Sequence, residues 1–566
     1  MIELLSLTPF MIFLLGAALL PLIPQGSPRA LLSLLIPVAS AYMIWVTPDG
    51  IFGQVSLAGW ELSLLRMDGL SRIFGLIFSL AAFLALLYAW HLRDTVQQIA
   101  TLLYAGAAIG ATFAGDLLSL FIFWEATAIA SVFLIWARRT EGAYWTGLRY
   151  LVIQVGSGVI LLAGIILHYR ETGSLAFEAM TLMSPASYAI FLAFGIKCAF
   201  PLLHNWLQDA YPAATVTGTV VLSAFTTKMA IYALARGFAG TEILVYIGAV
   251  MAVFPIFYAI VENDLRKVLA YSLNNQLGYM VVGIGIGTPL ALNGTAAHAV
   301  VHILYKALLF MSVGAVLFRT GTAKATDLGG LWKSMPVTAI FCMIGGASIA
   351  AMPLFAGFVT KSVLLSATIY EGHYIVWGML LFAAAGALHY CAIKVPYYAF
   401  FGKDSGLRPK EAPWNMLLAM GLAAILCVFI GAYPAPLYAL LPFEIDYQPY
   451  TFDHVLTQLQ LLVFAALIFA LDLRFGYSVR PKQSITIDFD WTYRKFGPAL
   501  IKALRTLIRG TWGHAIAQAN YQFTRTLRNL EGAHGPTGVF ARAWPTGTMV
   551  LWIAVLFGGT LLLSFI

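Results

Sequence analysis

Residues 194–228 read FGIKCAFPLLHNWLQDAYPAATVTGTVVLSAFTTK. Lys197 sits inside an apolar segment, Pro201 breaks the helix four residues later, and Lys228 lies deep in the next segment. A charged side chain at the centre of a bilayer costs roughly 2.5–3.5 kcal/mol on insertion scales, so such residues usually face a wet cavity or an opposite charge. A helix broken at membrane depth is tolerated where its freed backbone groups line protein or water. Lysine, break and lysine together point to an ion path.

The rest of the chain is membrane-like. Of 566 residues, 60% are hydrophobic and only 10% charged, with a mean hydropathy of +0.84. Those values exclude a soluble globular class. A spanning helix needs about 20 apolar residues, and about sixteen candidate spans run from near residue 3 to 566, two of them broken, at 186–211 and 334–370. Loops are too short for a separate soluble domain. The first segment lacks the basic start of a cleaved signal peptide, so it is expected to be retained. Loops after odd-numbered spans carry Arg93, Arg138, Arg139, Arg266, Lys267, Lys333, Lys403 and Arg408, whereas those after even-numbered spans hold little beyond Arg66, Arg170 and Arg236. The positive-inside rule puts the odd loops in the cytoplasm and both termini on the outer face of a bacterial inner membrane. The net charge of +8 is dispersed among spans and gives no support for nucleic-acid binding. Cys198, Cys342, Cys391 and Cys427 all fall in spans without a C-x-x-C, so they read as small buried apolar residues, with neither a disulfide nor an iron–sulfur cluster expected.

Two breaks divide the chain. GIKCAFPLLHNWLQDAYP carries the first; GGASIAAMPLFAGFVTKSVLL, with Pro353 and Gly357 before Lys361, carries the second. Interrupted spans at corresponding places in two halves point to an internal repeat. The expected units are N-terminal spans (1–95), a first repeat (96–240), a second repeat (241–402), further spans (403–475), a lateral helix (490–535) and a last span (545–566). In the lateral segment Ile501, Leu504, Ile508, Trp512, Ile516, Phe523, Leu527 and Leu530 recur near helical spacing, with Lys502, Arg505, Arg509, Arg525 and Arg528 largely on other faces. That is the pattern of a basic amphipathic helix on the cytoplasmic interface.

The intramembrane charges are the candidate site. Glu125 needs a partner or a proton, and pairs with Lys197 if it is functional; the bland alternative is a protonated, hydrogen-bonded core acid. Lys197 could instead snorkel to an interface, but its place mid-way along a split helix argues against that. A buried lysine can release its proton whereas arginine cannot. Lys228 follows Ser223, Thr226 and Thr227, hydroxyls able to order water; it is a relay or a structural lysine on backbone carbonyls. His298, His302 and Lys306 at i, i+4, i+8 stack on one helical face. A proton wire fits them better than a metal site, for which acidic or cysteine ligands are lacking. Lys361 would end the second half-path. Lys394, with His389 near, is balanced between the path and a cytoplasmic interface role. Asp116 and Asp209, near span ends, are gates or interface residues.

FWEATAIA (123–130), GIKCAFPLLHNWLQDAYP (195–212), TGTVVLSAFTTKMAIYALAR (217–236), HAVVHILYKALLFMSVGAVL (298–317) and PLFAGFVTKSVLL (353–365) resemble the antiporter-like subunits shared by Mrp-type cation/proton antiporters and respiratory complex I. The resemblance covers roughly residues 60 to 400, and KDSGLRPKEAPWNM (403–416) is similar to the D-type branch of the Mrp subunits. It implies an all-α polytopic fold with two inverted five-helix repeats, spans four to eight and nine to thirteen. It also implies that Glu125 and Lys197 match the family's charge pair, Lys228 its bridging lysine, His298, His302 and Lys306 its central relay, and Lys361 its terminal lysine. A standard D-type chain ends near its fourteenth span. The extra span, lateral helix and last span here resemble the largest antiporter-like subunit of complex I and the large Mrp subunit, which leaves the host complex open.

The leading expectation is a proton-translocating transporter subunit coupled to Na+ or another monovalent cation, working beside other membrane subunits. The alternatives are a proton-pumping subunit of complex I or a membrane-bound hydrogenase, and a coupling subunit for inorganic-carbon uptake. No nucleotide, flavin or cluster motif occurs, so no redox cofactor is expected on this chain.

Overall fold

The computed structural model describes residues 8–57, 59–475, 488–508, 513–534 and 546–563. Its helices follow the sixteen expected spans. Among the described residues eleven are long and apolar enough to cross a membrane, and shorter apolar helices include the first span (Pro9–Leu22), the first half of span seven and both halves of span twelve. Span seven is split into Pro185–Cys198 and Asn205–Ala213, and span twelve into Pro336–Ile349 and Ala356–Tyr370. Span eight, Val216–Gly237, is all buried and span eleven, Pro289–Thr320, nearly so, whereas only 17% of span fifteen, Phe452–Phe475, is covered. The polar central spans are therefore wrapped by apolar ones, the arrangement a lipid solvent favours.

Polar caps punctuate these helices. Asp68, Asp116, Thr140, Ser184 and Thr215 each accept a backbone N–H of the first turn with their side chains, satisfying donors that a helix start leaves free. Where spans nine (Ile243–Val261) and ten (Leu265–Ile286) cross, Gly248 and Gly278 let the backbones touch: a Cβ on Gly248 would lie 2.5 Å from Val282 N, and one on Gly278 would lie 2.6 Å from Gly248 O. Small residues permit such approach between membrane helices.

The two halves repeat in hydrogen-bonded detail. At the first break Ala199 N donates to Ile196 O (3.1 Å) and Phe200 N to Gly195 O (3.0 Å). At the second, Ala351 N donates to Ser348 O (3.1 Å) and Met352 N to Ala347 O (3.0 Å). Ala199 and Leu202 have φ of 63° and 71°, and Ala351 and Leu354 have 56° and 72°. These left-handed residues end each half-helix where glycine is usual, and the proline inside each turn stops the helix from resuming. Residues leading into spans five (Leu117–Trp136) and ten recur likewise. Asp116 bridges to Ala176 and Asp264 to Lys324. Spans six (Glu141–Thr172) and eleven are both 32 residues long and end at a left-handed glycine, Gly173 or Gly321. Equivalent spans stand five crossings apart, an odd number, so the second copy runs the opposite way through the membrane. The repeats are inverted.

One hairpin interrupts the otherwise helical fold. Between spans two and three, β1 (Gly50–Leu57) pairs antiparallel with β2 (Trp60–Met67), from Gly50↔Met67 to Leu57↔Trp60. Leu62, Leu65 and Met67 are buried beneath it. Asp116 ties the hairpin to span five by accepting Ser63 N at 2.7 Å while capping Ser119 N at 2.7 Å. Arg66 donates to Phe177 O (2.9 Å). Asp116 is thus a structural cap.

The lateral segment forms Gly497–Ile508 and Gly513–His534, and the last span Thr546–Leu563. Ile501, Leu504, Phe523 and Leu527 are exposed on these helices. Trp512, Arg509 and the ends of the expected first span, lateral helix and last span at 3–7, 535 and 564–566 lie outside the described residues. All four cysteines are buried and unbonded.

Candidate functional site

In the first repeat Lys197 ends the first half of span seven and is fully buried. Its ammonium donates to the carbonyl of Trp124 and to Thr127 Oγ1 (3.0 Å), both on span five, and sits 4.5 Å from the Trp124 ring centre. Glu125 is next in sequence to one of those partners, but no direct ion pair joins it to Lys197. Its Oε1 is buried without a hydrogen-bond partner, against span six, where Gly158 makes the room: a Cβ there would overlap that oxygen. Glu125 and Lys197 are within electrostatic reach of each other without a direct bond.

Lys228 is fully buried just past a second interruption, at Phe225, which splits span eight into Val216–Ala224 and Thr226–Gly237. Its ammonium donates to Ser223 O at 2.6 Å, one of the carbonyls the interruption frees. Thr226 is held by Tyr104, whose hydroxyl accepts the Thr226 N–H at 3.0 Å, while the buried Thr227 hydroxyl has no partner. Lys228 lies within electrostatic reach of Lys306, His298 and His302 of the second repeat.

Span eleven carries the stacked row as its spacing requires. The rings of His298 and His302 lie 6.1 Å apart at 13°. His298 bonds Thr360 Oγ1 at 2.9 Å through Nδ1 and Tyr305 Oη at 3.4 Å through Nε2. Tyr305 donates to Gln276 Oε1 at 3.0 Å. Both ring nitrogens of His302 are buried and unpartnered. Lys306 donates to Leu269 O at 3.1 Å. Among the described residues no group of three or more His, Cys, Asp or Glu converges as a metal site would.

Lys361 rises from the second half of span twelve, and its ammonium donates to Ile349 O at 2.7 Å, at the end of the first half. Ile349 stands two residues before Ala351 as Lys197 stands two before Ala199, so each break carries one ammonium. The negative end of the half-helix dipole favours a cation there. Lys394 is placed differently. It donates to Ala259 O (2.9 Å), Ile260 O (2.7 Å) and Glu262 O (2.7 Å), the frayed carbonyls ending span nine. It sits beside the loop that follows span nine. His389, from the same span, faces Asp472 of span fifteen at 3.9 Å. Asp209 is an interface residue, bonded by Arg149 (2.7 Å) and by Arg494 of the tail (2.9 Å).

Sequence reading missed Gly158, Tyr305, Gln276 and Thr360. A glycine or a tyrosine in an apolar span carries no signal by itself; only the neighbour it admits or bonds does.

Two inverted five-helix units, each with a broken helix, enclosing a row of buried basic side chains, define the antiporter-like class of polytopic membrane subunit. The family described as NADH:quinone oxidoreductase/Mrp antiporter, TM, matches residues 114–386, just under half of the chain, which is similar to the antiporter-like membrane subunits of that family. The D-type Na(+)/H(+) antiporter chain of Alkalihalophilus pseudofirmus is 31% identical over 52% of this chain and 64% of its own length. Hydrogenase-4 component B of Escherichia coli is 29% identical over 65% of this chain and 62% of its own. The chain spans about half to two thirds of the length of such curated relatives. A chain in the structure of an archaeal respiratory membrane complex, the membrane-bound sulfane sulfur reductase, shares the fold at TM-score 0.72 with 24% identity, over 97% of this chain and 99% of that one.

Proposed function

We propose that this chain is the proton-translocating subunit of a multisubunit monovalent-cation/proton antiporter of Mrp type, with Na+ as the cation. The observation that carries the reading is the state of the buried lysines. Lys197, Lys228, Lys306 and Lys361 are essentially unexposed, and none is bonded to a carboxylate; backbone carbonyls and one hydroxyl hold them. A permanently charged structural cation in a membrane core would need a tight counter-ion. A lysine bonded to carbonyls can give up its proton at moderate cost and regain it. Glu125, near Lys197 but unbonded to it, is placed to bias that exchange by distance.

In this account Glu125 and Lys197 form the charge pair of the first repeat (96–240). Lys228 bridges to the second (241–402), His298, His302 and Lys306 relay, and Lys361 ends the row. Lys394 anchors the mouth. The subunit works as a transporter beside other membrane subunits, in a bacterial cytoplasmic membrane, with both termini on the outer face.

A proton-pumping subunit of a redox assembly is the second reading. The tail favours it: the match to the archaeal respiratory chain extends over 97% of this one, and a hydrogenase component is among the relatives. Inside-out vesicles from an antiporter-deficient host carrying the chain with its neighbouring genes separate the two. Addition of Na+ should discharge an established pH gradient, and Glu125→Gln should abolish that response. Acidification driven by an electron donor, with no response to Na+, would replace the first reading by the second.

A further inference from the structure

We propose that Asp488, carried by the tail, and His204 form a proton-exchange pair at the mouth of the path through the first repeat. This rests on the ion-path reading above and adds an inlet to it.

His204 lies three residues past Pro201, where the second half of span seven begins. His204 and Asp488 are both buried, and their Nε2 and Oδ2 atoms are 2.7 Å apart. Tyr271 of span ten also reaches Asp488, at 3.4 Å. The carboxylate therefore sits where the two repeats meet. Burial works to raise the Asp488 carboxyl, but the hydrogen bond and charge of His204 outweigh it and hold it below the ordinary carboxylate range.

The half-helix that follows is lined with unmet polar atoms. His204 Nδ1, Asn205 Oδ1, both amide atoms of Gln208 and Tyr211 Oη are buried without a partner in the chain. Buried polar atoms are ordinarily satisfied by water, so a cluster of them on one short helix marks a hydrated inlet.

The tail is fastened independently of this contact. Arg494 pairs with Asp490 (2.8 Å) and with Asp209 (2.9 Å), which also holds Arg149. A brace would be complete with that outer clamp. A buried carboxylate adds a desolvation cost that is offset only when its partner carries positive charge. The exchange step follows. A hydronium in the inlet gives its proton to Nδ1 of His204, leaving water and an imidazolium that Asp488 neutralises. Passage of that proton to the next acceptor restores the neutral ring. The other titratable or charged groups facing the pair are Tyr258, Tyr271 and Asp490, with Glu262 beyond Tyr271 and the Arg149–Asp209–Arg494 cluster outside.

The complete assembly, reconstituted in liposomes, gives the test: cation-driven proton flux from pH 6 to 9 in Asp488→Asn, Asp488→Glu, His204→Gln and Glu125→Gln. A carboxylate beside a protonated base stabilises its charge. Asp488→Asn should lower the rate about tenfold on the alkaline limb of the profile. Asp488→Glu should restore the profile, and His204→Gln should remove that limb. Should Asp488→Asn not assemble, His204→Gln reads the same limb with the tail carboxylate in place. Wild-type profiles in both variants, whatever their assembly yield, would reduce the contact to a brace. If those profiles are unchanged while Glu125→Gln is inactive, only the exchange pair falls. An active Glu125→Gln would overturn the ion-path reading instead.

Discussion

Replacing Gly158 by alanine should lower transport severalfold without preventing assembly. The added Cβ would occupy the position of Glu125 Oε1, so the carboxylate must leave its seat between spans five and six. Overpacking a core costs about 1–3 kcal/mol; Glu125 is only half-buried and flexible, so the low end applies. The transport effect comes from distance. For opposite charges roughly 6 Å apart at an effective dielectric of about 20, attraction is about 3 kcal/mol, and withdrawal by about 2 Å removes about 0.7 kcal/mol, or threefold. The assay is a double-mutant cycle on cation-driven proton flux in inside-out vesicles, with assembly followed on native gels. Because Gly158 acts through the carboxylate, Gly158→Ala should add nothing to Glu125→Gln. Wild-type flux in Gly158→Ala, or losses that multiply in the double variant, would refute the reasoning.

Lys197→Met and Lys361→Met should each abolish flux in assembled complexes, and the arginine variants should fail too, since arginine stays protonated; an active arginine variant in the flux assay would show that fixed charge suffices. Lys394→Met should instead reduce assembly yield and leave flux per assembled complex within about twofold, because three span-nine carbonyls lose their donor at about 1 kcal/mol each. Equal yield with abolished flux would put Lys394 in the relay. Removing residues after about 490 strips the Arg494 clamp and the exposed apolar lateral helices, so subcomplexes should appear in mild detergent; full assembly with reduced conductance would make the tail part of transport.

The breaks were legible in the sequence because proline and lysine are both costly in an apolar helix, so each announces itself. The inverted repeat was legible only as a pair of such breaks. Its finer signatures, Ala199-x-Pro201-Leu202 against Ala351-x-Pro353-Leu354 and Thr172-Gly173-Ser174 against Thr320-Gly321-Thr322, are short and sit among unrelated apolar residues. The hairpin of β1 and β2 was hidden because alternation means little where most residues are apolar. The row of His298, His302 and Lys306 follows from helical spacing alone, whereas the separation of Glu125 and Lys197 does not: spacing says nothing about rotamers on two different spans. Asp488 and His204 are 284 residues apart, and nothing local to either one predicts the other.

Lys306 is the midpoint of the row, reached electrostatically from Lys228 and Lys361 on either side. Cation-driven proton flux through the reconstituted complex with Lys306→Met is therefore the most direct measurement of the account. The account predicts flux at the level of empty liposomes with normal assembly; flux near that of the unmodified complex would contradict it.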